Sequence, residues 1–164
     1  MEIIPAIMPK SMRDLKEKMS RVAAIVPLVQ VDIMDGIFVS EKTWPYGFSE
    51  EFKQIIVEKE GFPFWDQVDF EADLMISDPV RGVEEWISAG ARRVIVHIES
   101  TENFPYVVDT FKSRAPAKDS LFNIELGVAI NPDTPNEKIA PYIKDVDFVQ
   151  CMGIAKIGFQ SQPF

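Results

Sequence analysis

Short apolar runs alternate along this chain with amphipathic stretches, and this alternation limits the folds that it can adopt. Six runs have the length and composition of buried strands: Glu2–Ile7, Leu28–Met34, Gln67–Met75, Arg93–Ile98, Phe122–Ile130 and Asp147–Met152. A stretch with helical features follows each of the first five runs. Such units, recurring roughly every 25 residues, predict a parallel sheet with helices outside it, as a (β/α) barrel or a doubly wound sheet.

The helical stretches carry recognisable start and stop signals. They are predicted at Ser11–Ala24, Phe48–Glu58, Asp78–Gly90, Asn103–Arg114 and Pro135–Tyr142. The chain of 164 residues contains no linker or low-complexity tract, so we expect one domain over residues 1–164. The first strand-to-helix turn, residues 5–9, has no glycine, which argues against a dinucleotide site.

Composition excludes several classes of function. Cys151 is the only cysteine and His97 the only histidine, so neither a Cys-rich zinc site nor a three-histidine site can form. The net charge of −9 disfavours a nucleic-acid partner, which requires a basic face. No apolar run is long enough to span a membrane, and no signal peptide is recognisable, so we expect a cytoplasmic protein without a membrane partner.

Acidic side chains are frequent where the predicted strands end, which is where α/β folds place their chemistry. Asp32 points to the same side of its strand as Gln30 and Met34, because side chains alternate with period two. Asp35 and Gly36 form a typical turn pair. His97 and Cys151 lie inside apolar strands, and we expect a packed core histidine and a buried, inert thiol.

Five motifs in order give the chain a resemblance to a known family. They are VDIMDGIFV (31–39), DLMISDP (73–79), VHIES (96–100), GVAINPDTP (127–135) and DFVQCMGI (147–154). Their order and spacing resemble those of the ribulose-phosphate 3-epimerase family. The segment GFQSQPF (158–164) is similar to that family's glycine-rich loop after strand six, and the resemblance covers the whole chain.

The resemblance implies a TIM barrel, of which this sequence supplies about six of the eight β/α units. It also implies inversion of carbon 3 of a pentulose 5-phosphate. Two aspartates, one on each face of the sugar, transfer the proton, and a divalent ion (Mg²⁺, Mn²⁺, Fe²⁺ or Zn²⁺) stabilises the enediolate. The first aspartate corresponds to Asp32, and the second belongs to the family's strand seven, which follows the six strands counted here.

The resemblance also assigns the binding residues. The two histidine ligands of the family correspond to Gln30 and Asp73, so the implied metal site consists of Gln30, Asp32 and Asp73. Such an oxygen-only set favours a hard ion such as Mg²⁺, Mn²⁺ or Ca²⁺. The residues implied to bind the substrate are Met34, Met75, Met152 and Gly153.

Three functions remain open at this point. The chain is a sugar-phosphate epimerase, a non-catalytic relative that binds a sugar phosphate or a partner chain, or a piece of a longer epimerase. Six strands leave a curved parallel sheet open at Glu2–Ile7 and Asp147–Met152. Free edges of this kind pair with other chains, so we expect a homo-oligomer or a complementary chain as partner.

Overall fold

The computed structural model describes residues 2–47, 49–116 and 123–159. Its strands are β1 (Ala6–Ile7), β2 (Leu28–Met34), β3 (Asp69–Met75), β4 (Arg93–His97), β5 (Glu125–Ile130) and β6 (Phe148–Cys151). Its α-helices are α1 (Met12–Ser20), α2 (Ser49–Glu58), α3 (Pro79–Ser88) and α4 (Phe104–Arg114). Short 3-10 turns cover Ile98–Ser100, Asn136–Lys138 and Ala140–Tyr142.

The six strands form one parallel sheet in chain order, from β1 to β6. The sheet is strongly curved: Nε2 of Gln150 on β6 lies 3.0 Å from Oδ2 of Asp73 on β3, with β4 and β5 between them. In a flat sheet, strands that are three positions apart are separated by about 14 Å. This curvature confirms the predicted barrel-type (β/α) fold, present here as six units.

The two faces of the sheet differ in chemistry because side chains alternate along each strand. The outward face carries the main apolar core, to which β3 contributes Phe70, Ala72 and Leu74. The inward face carries polar groups, among them Glu71 and Asp73 of the same strand, both almost completely buried. Asp73, together with Gln30 and Asp32 at the matching positions of β2, therefore lies on the concave face.

An aromatic cluster fills the space between the outward face and helices α2 and α3. Trp44 and Trp86 are buried and make an edge-on contact, with ring centroids 6.3 Å apart. Phe52 lies 4.6 Å from Trp86, and Phe62 stacks on Phe70 at 3.9 Å. Such pairs contribute about 0.5–1.5 kcal/mol each beyond the area that they bury.

Local sequence signals explain where the helices begin. The Ser11 hydroxyl accepts the N–H of Asp14 at the start of α1, and the Asp78 carboxylate accepts the N–H of Arg81 at the start of α3. Pro79 occupies the first turn of α3, where no N–H is needed. Gly90 has φ 92° just after α3, a conformation that favours glycine.

Three predicted elements differ most from the structure. The first predicted helix, Ser11–Ala24, is too long, because α1 ends at Ser20. The first strand is wrong in extent: only Ala6 and Ile7 pair with β2, because β1 is an edge with one neighbour and Pro5 has no N–H to donate. The fifth predicted helix is replaced by the two 3-10 turns between residues 136 and 142. The predicted ends at Phe48 and Phe122 lie outside the described residues.

No helix among the described residues combines the length and apolar character that a membrane crossing requires.

Candidate functional site

Two loops at the carboxyl edge of the sheet are joined through Asp35. Its Oδ1 accepts the N–H groups of Ile37 and Phe38, and its Oδ2 accepts both the N–H and the hydroxyl of Ser77, each at 2.7 Å. Burial alone would raise the pKa of Asp35, but these four donors lower it. The predicted turn is confirmed, with Gly36 at φ 78°.

Thr43 holds the other end of the loop that follows β2. Its buried hydroxyl donates to the carbonyl oxygen of Asp32 at 2.8 Å and accepts the N–H of Met34 at 2.9 Å. The end of β2 is thus fixed from both sides, and the Asp32 side chain projects from a rigid backbone into the concave face.

The predicted ligands Gln30, Asp32 and Asp73 converge on this face. Asp32 and Asp73 are register partners on β2 and β3, and the Gln30 amide lies between their carboxylates. Its Nε2 is 2.8 Å from Oδ1 of Asp32 and 3.4 Å from Oδ2 of Asp73. Burial, with the Asp73 carboxylate as the next cause, raises the pKa of Asp32 to about 7.

Two further residues complete the surroundings of Asp73, which is 1% exposed. Gln150 donates to its Oδ2 from β6 at 3.0 Å. His97 places Nε2 3.2 Å from its Oδ1, an ion-pair contact rather than an aligned hydrogen bond. A side-chain nitrogen atom therefore lies close to each of the two carboxylate oxygens of Asp73.

His97 also approaches a second carboxylate. Its Nδ1 is 3.8 Å from Oε2 of Glu99, whose Oε1 accepts the N–H of Asn131 at 2.9 Å. Burial alone would lower the pKa of His97, but Asp73 and Glu99 together raise it to about 9. Burial alone would raise the pKa of Glu99, but His97 and the Asn131 amide hold it at about 2.

Sequence reasoning missed two members of this cluster. The burial predicted for His97 is confirmed, with 0% exposure, but its contact with Asp73 was not predicted. Gln150 was not predicted at all. The alternation of β6 could have indicated it, because Gln150 and Phe148 share the inward face of a strand otherwise read as apolar.

The residues predicted to bind the substrate are spread over two environments. Met34 and Met75 are buried, and Met8, Phe38 and Ile157 pack against the cluster that they form with Val39. Met152 is half-buried and Gly153 exposed. Met34 and Met75 thus lie beneath Phe38 and Ile157, whereas Met152 and Gly153 reach the surface, and the prediction that these four residues bind the substrate stays a prediction.

The prediction of a buried thiol at Cys151 is wrong, because this residue is exposed. Cys151 ends β6, and β6 pairs only with β5 in the described sheet. A cysteine in an apolar run is buried only where a neighbouring element covers it, and the described residues place none over this end of β6.

The chemistry of the donors decides whether a cation fits between Asp32 and Asp73. A ligand must offer a lone pair, but Gln30 and Gln150 both direct amide nitrogen atoms at the carboxylates. Among residues 2–47, 49–116 and 123–159, no group of three or more His, Cys, Asp or Glu side chains could hold a metal ion. In this arrangement the implied ion does not fit.

Comparison with known proteins identifies the family. The sequence profile of the Ribulose-phosphate 3 epimerase family matches residues 2–164. This chain belongs to that family. Among its relatives, the ribulose-phosphate 3-epimerase of Bacillus subtilis is 29% identical over 136 residues, covering 83% of this chain and 54% of the relative.

Two other ribulose-phosphate 3-epimerases show the same partial coverage. The Chlamydia muridarum protein is 28% identical over 137 residues, which is 84% of this chain and 52% of the relative. The Schizosaccharomyces pombe protein is 27% identical over 154 residues, which is 93% of this chain and 61% of the relative. The chain thus spans between one half and two thirds of the length of these relatives.

Proposed function

We propose that this chain binds a pentulose 5-phosphate at the carboxyl edge of its sheet, in the cytoplasm, and that Asp32 exchanges the proton on carbon 3. One observation carries the proposal: the Asp32 carboxyl lies in the concave cluster with its pKa raised to about 7. A group with a pKa near the working pH both accepts and returns a proton. Asp32 also has the position of the family's first catalytic aspartate.

Inversion needs a second acid/base group on the opposite face of the sugar. The family resemblance assigns that group to strand seven, which follows the six strands described above. Among the described residues, Asp32 supplies one of the two groups, and loss of one such group removes about 10²–10⁴ in rate. We expect exchange of the carbon-3 proton on one face only, and no inversion by this chain alone.

The surroundings of Asp32 support the proposed role. Gln30 fixes one of its carboxylate oxygens, and Thr43 fixes its backbone. The Asp32 side chain is half-buried, so it is partly shielded from water and remains accessible from the concave face. The hard divalent ion predicted at Gln30, Asp32 and Asp73 has no part in this proposal.

Proton exchange in D₂O tests the proposal. The 164-residue chain is incubated separately with D-ribulose 5-phosphate and D-xylulose 5-phosphate, and the carbon-3 proton signal is followed by NMR. We expect that signal to decay for one epimer without formation of the other. Asp32→Asn abolishes the decay, whereas Asp109→Asn, a matched change at an exposed site on α4, leaves it unchanged.

Three results would contradict the proposal. Decay that survives Asp32→Asn would place the acid/base group elsewhere. Sugar-phosphate binding by calorimetry without any decay would instead support the non-catalytic relative. Inversion at a rate near 1 s⁻¹ would show that the described strands already hold the second group.

A further inference from the structure

Asp73, which is buried, and Asp32, which is half-buried, place two carboxylates side by side in this cluster. A buried carboxylate is costly unless donors or a cation compensate it. Asp73 is 1% exposed, and its three polar neighbours each present a nitrogen atom: Gln30 and Gln150 to Oδ2, and His97 to Oδ1. Oδ2 accepts from both amides, whereas Oδ1 has Nε2 of His97 beside it without an aligned hydrogen bond.

A cation in the same place would have to displace these contacts. The Gln30 amide would need to rotate by half a turn to present Oε1, and would then lose its 2.8 Å donation to Asp32. Gln150 would lose its 3.0 Å donation to Asp73 in the same way. His97 would keep its Nε2 3.2 Å from Oδ1 of Asp73, where the ion would have to bind.

The substitutions in the sequence agree with this geometry. The two positions that carry ligand histidines in the family hold Gln30 and Asp73 here. An amide and a carboxylate form a donor–acceptor pair with each other, at 3.4 Å, which two neutral histidine ligands do not. Gln150 adds a second amide from the last strand.

We infer that the side chains of Gln30, Gln150 and His97 replace the divalent ion of the family in this chain. The two amides donate to Asp32 and Asp73, and Nε2 of His97 lies 3.2 Å from Oδ1 of Asp73, so these side chains occupy the places that an ion would need. The inference rests on the geometry of the cluster and does not depend on the sugar-phosphate activity proposed above.

Metal binding by the purified chain tests this inference. The 164-residue chain is treated with EDTA and titrated with Mn²⁺, with binding followed by calorimetry and by loss of the free Mn²⁺ EPR signal. We expect no stoichiometric binding up to about 1 mM Mn²⁺, and no change in Tm when Mn²⁺ or EDTA is added. One equivalent of Mn²⁺ bound with a Kd below about 10 µM, and lost in Asp73→Asn, would overturn it.

A variant that restores the two histidines of the family should gain metal binding. The double variant Gln30→His with Asp73→His places two imidazoles beside Asp32, and we expect it to bind Mn²⁺ or Zn²⁺ at least 100-fold more tightly than the parent chain. The control, Gln54→His with Asp109→His, adds two histidines at exposed sites and should gain nothing. Equal gains in both double variants would count against the inference.

The variant Gln150→Leu serves if the double variant fails to fold. It removes one donor from Asp73, and we expect a lower Tm that Mn²⁺ does not restore. Restoration of the parent Tm by Mn²⁺ would show that a cation takes the vacated place, and would contradict the view that the site excludes one.

Discussion

The ring of Phe148 lies directly over Gly127 on the concave face of the sheet. A Cβ atom at Gly127 would come within 2.5 Å of Cζ and 2.6 Å of Cε2 of that ring. The Arg93 guanidinium carbon lies 5.4 Å from the centroid of the same ring. The ring therefore has little freedom to move, and the contact fixes the last strand against β5.

Replacement of Gly127 by Ala tests this contact. We expect Gly127→Ala to lower the free energy of unfolding by about 1–3 kcal/mol, the usual cost of overpacking. Urea unfolding of Gly127→Ala, Phe148→Leu and the double variant forms the cycle that isolates the pair. The cost should shrink when Leu replaces Phe148. An equal cost in both backgrounds would contradict a direct clash.

Asp35 should matter more for stability than an aspartate on the exposed surface. Asp35→Ala removes the acceptor of four hydrogen bonds, two of them from Ser77, and we expect a loss of about 2–4 kcal/mol in urea unfolding. Asp35→Asn should fall between Asp35→Ala and the parent chain. Asp109→Asn, on an exposed surface, provides the control, and a loss at Asp35 no larger than at Asp109 would refute the anchoring role.

Stability should fall as pH rises towards 9. The pKa of His97 is raised from its unfolded value of about 6.5 to about 9, so its contribution is complete below pH 6.5 and disappears as pH rises to 9. Asp32 acts in the same direction, because its raised pKa removes stability as pH passes from about 4 to 7.

The expected loss from His97 is on the order of 3 kcal/mol between pH 6.5 and 9. Urea unfolding measured across this range gives the slope, and His97→Gln should flatten it. A parent chain whose unfolding free energy is constant from pH 6 to 9 would show that His97 is not charged in the folded state.

The edges of the sheet should make the 164-residue chain self-associate. β1 and β6 each have one hydrogen-bonded neighbour in the described sheet, and Cys151 is exposed on β6. Light scattering at about 100 µM should report species larger than a monomer. Cys151→Lys, which places a charge on the edge, should shift them towards the monomer, whereas Asp109→Lys should not.

A monodisperse monomer at about 100 µM, melting cooperatively within the mesophile range of roughly 45–65 °C, would disprove the edge prediction. Because light scattering is measured without substrate, its result does not depend on whether the chain is catalytically active.

The sheet was largely predictable because buried parallel strands are apolar on the face that packs against helices. The predicted bounds of β2, Leu28–Met34, are those observed. The convergence of Asp32 and Asp73 was also predictable. Both side chains alternate to the inward face, and the two residues are register partners on neighbouring strands. The local hydrophobic pattern and the parallel pairing of the strands are sufficient to predict these two features.

The contacts that Gln150 and His97 make with Asp73 could not be predicted from the sequence pattern. Gln150 reaches Asp73 across 77 positions of sequence and two intervening strands, and only the curvature of the sheet brings them together. The direction of the Gln30 amide depends on which groups surround it. No local pattern in the sequence encodes either property.

The alternation of side chains along the strands places core residues and site residues on opposite faces of the sheet. The residues that stabilise the fold, such as Phe70 and Leu74, face outward, and the residues that carry chemistry, such as Gln30 and Asp73, face inward. Changes at Gln30 and Asp73 therefore leave the contacts of the outward apolar core in place. One scaffold can thus carry different groups at the positions of Gln30 and Asp73, since the fold and the site depend on opposite faces of the same strands.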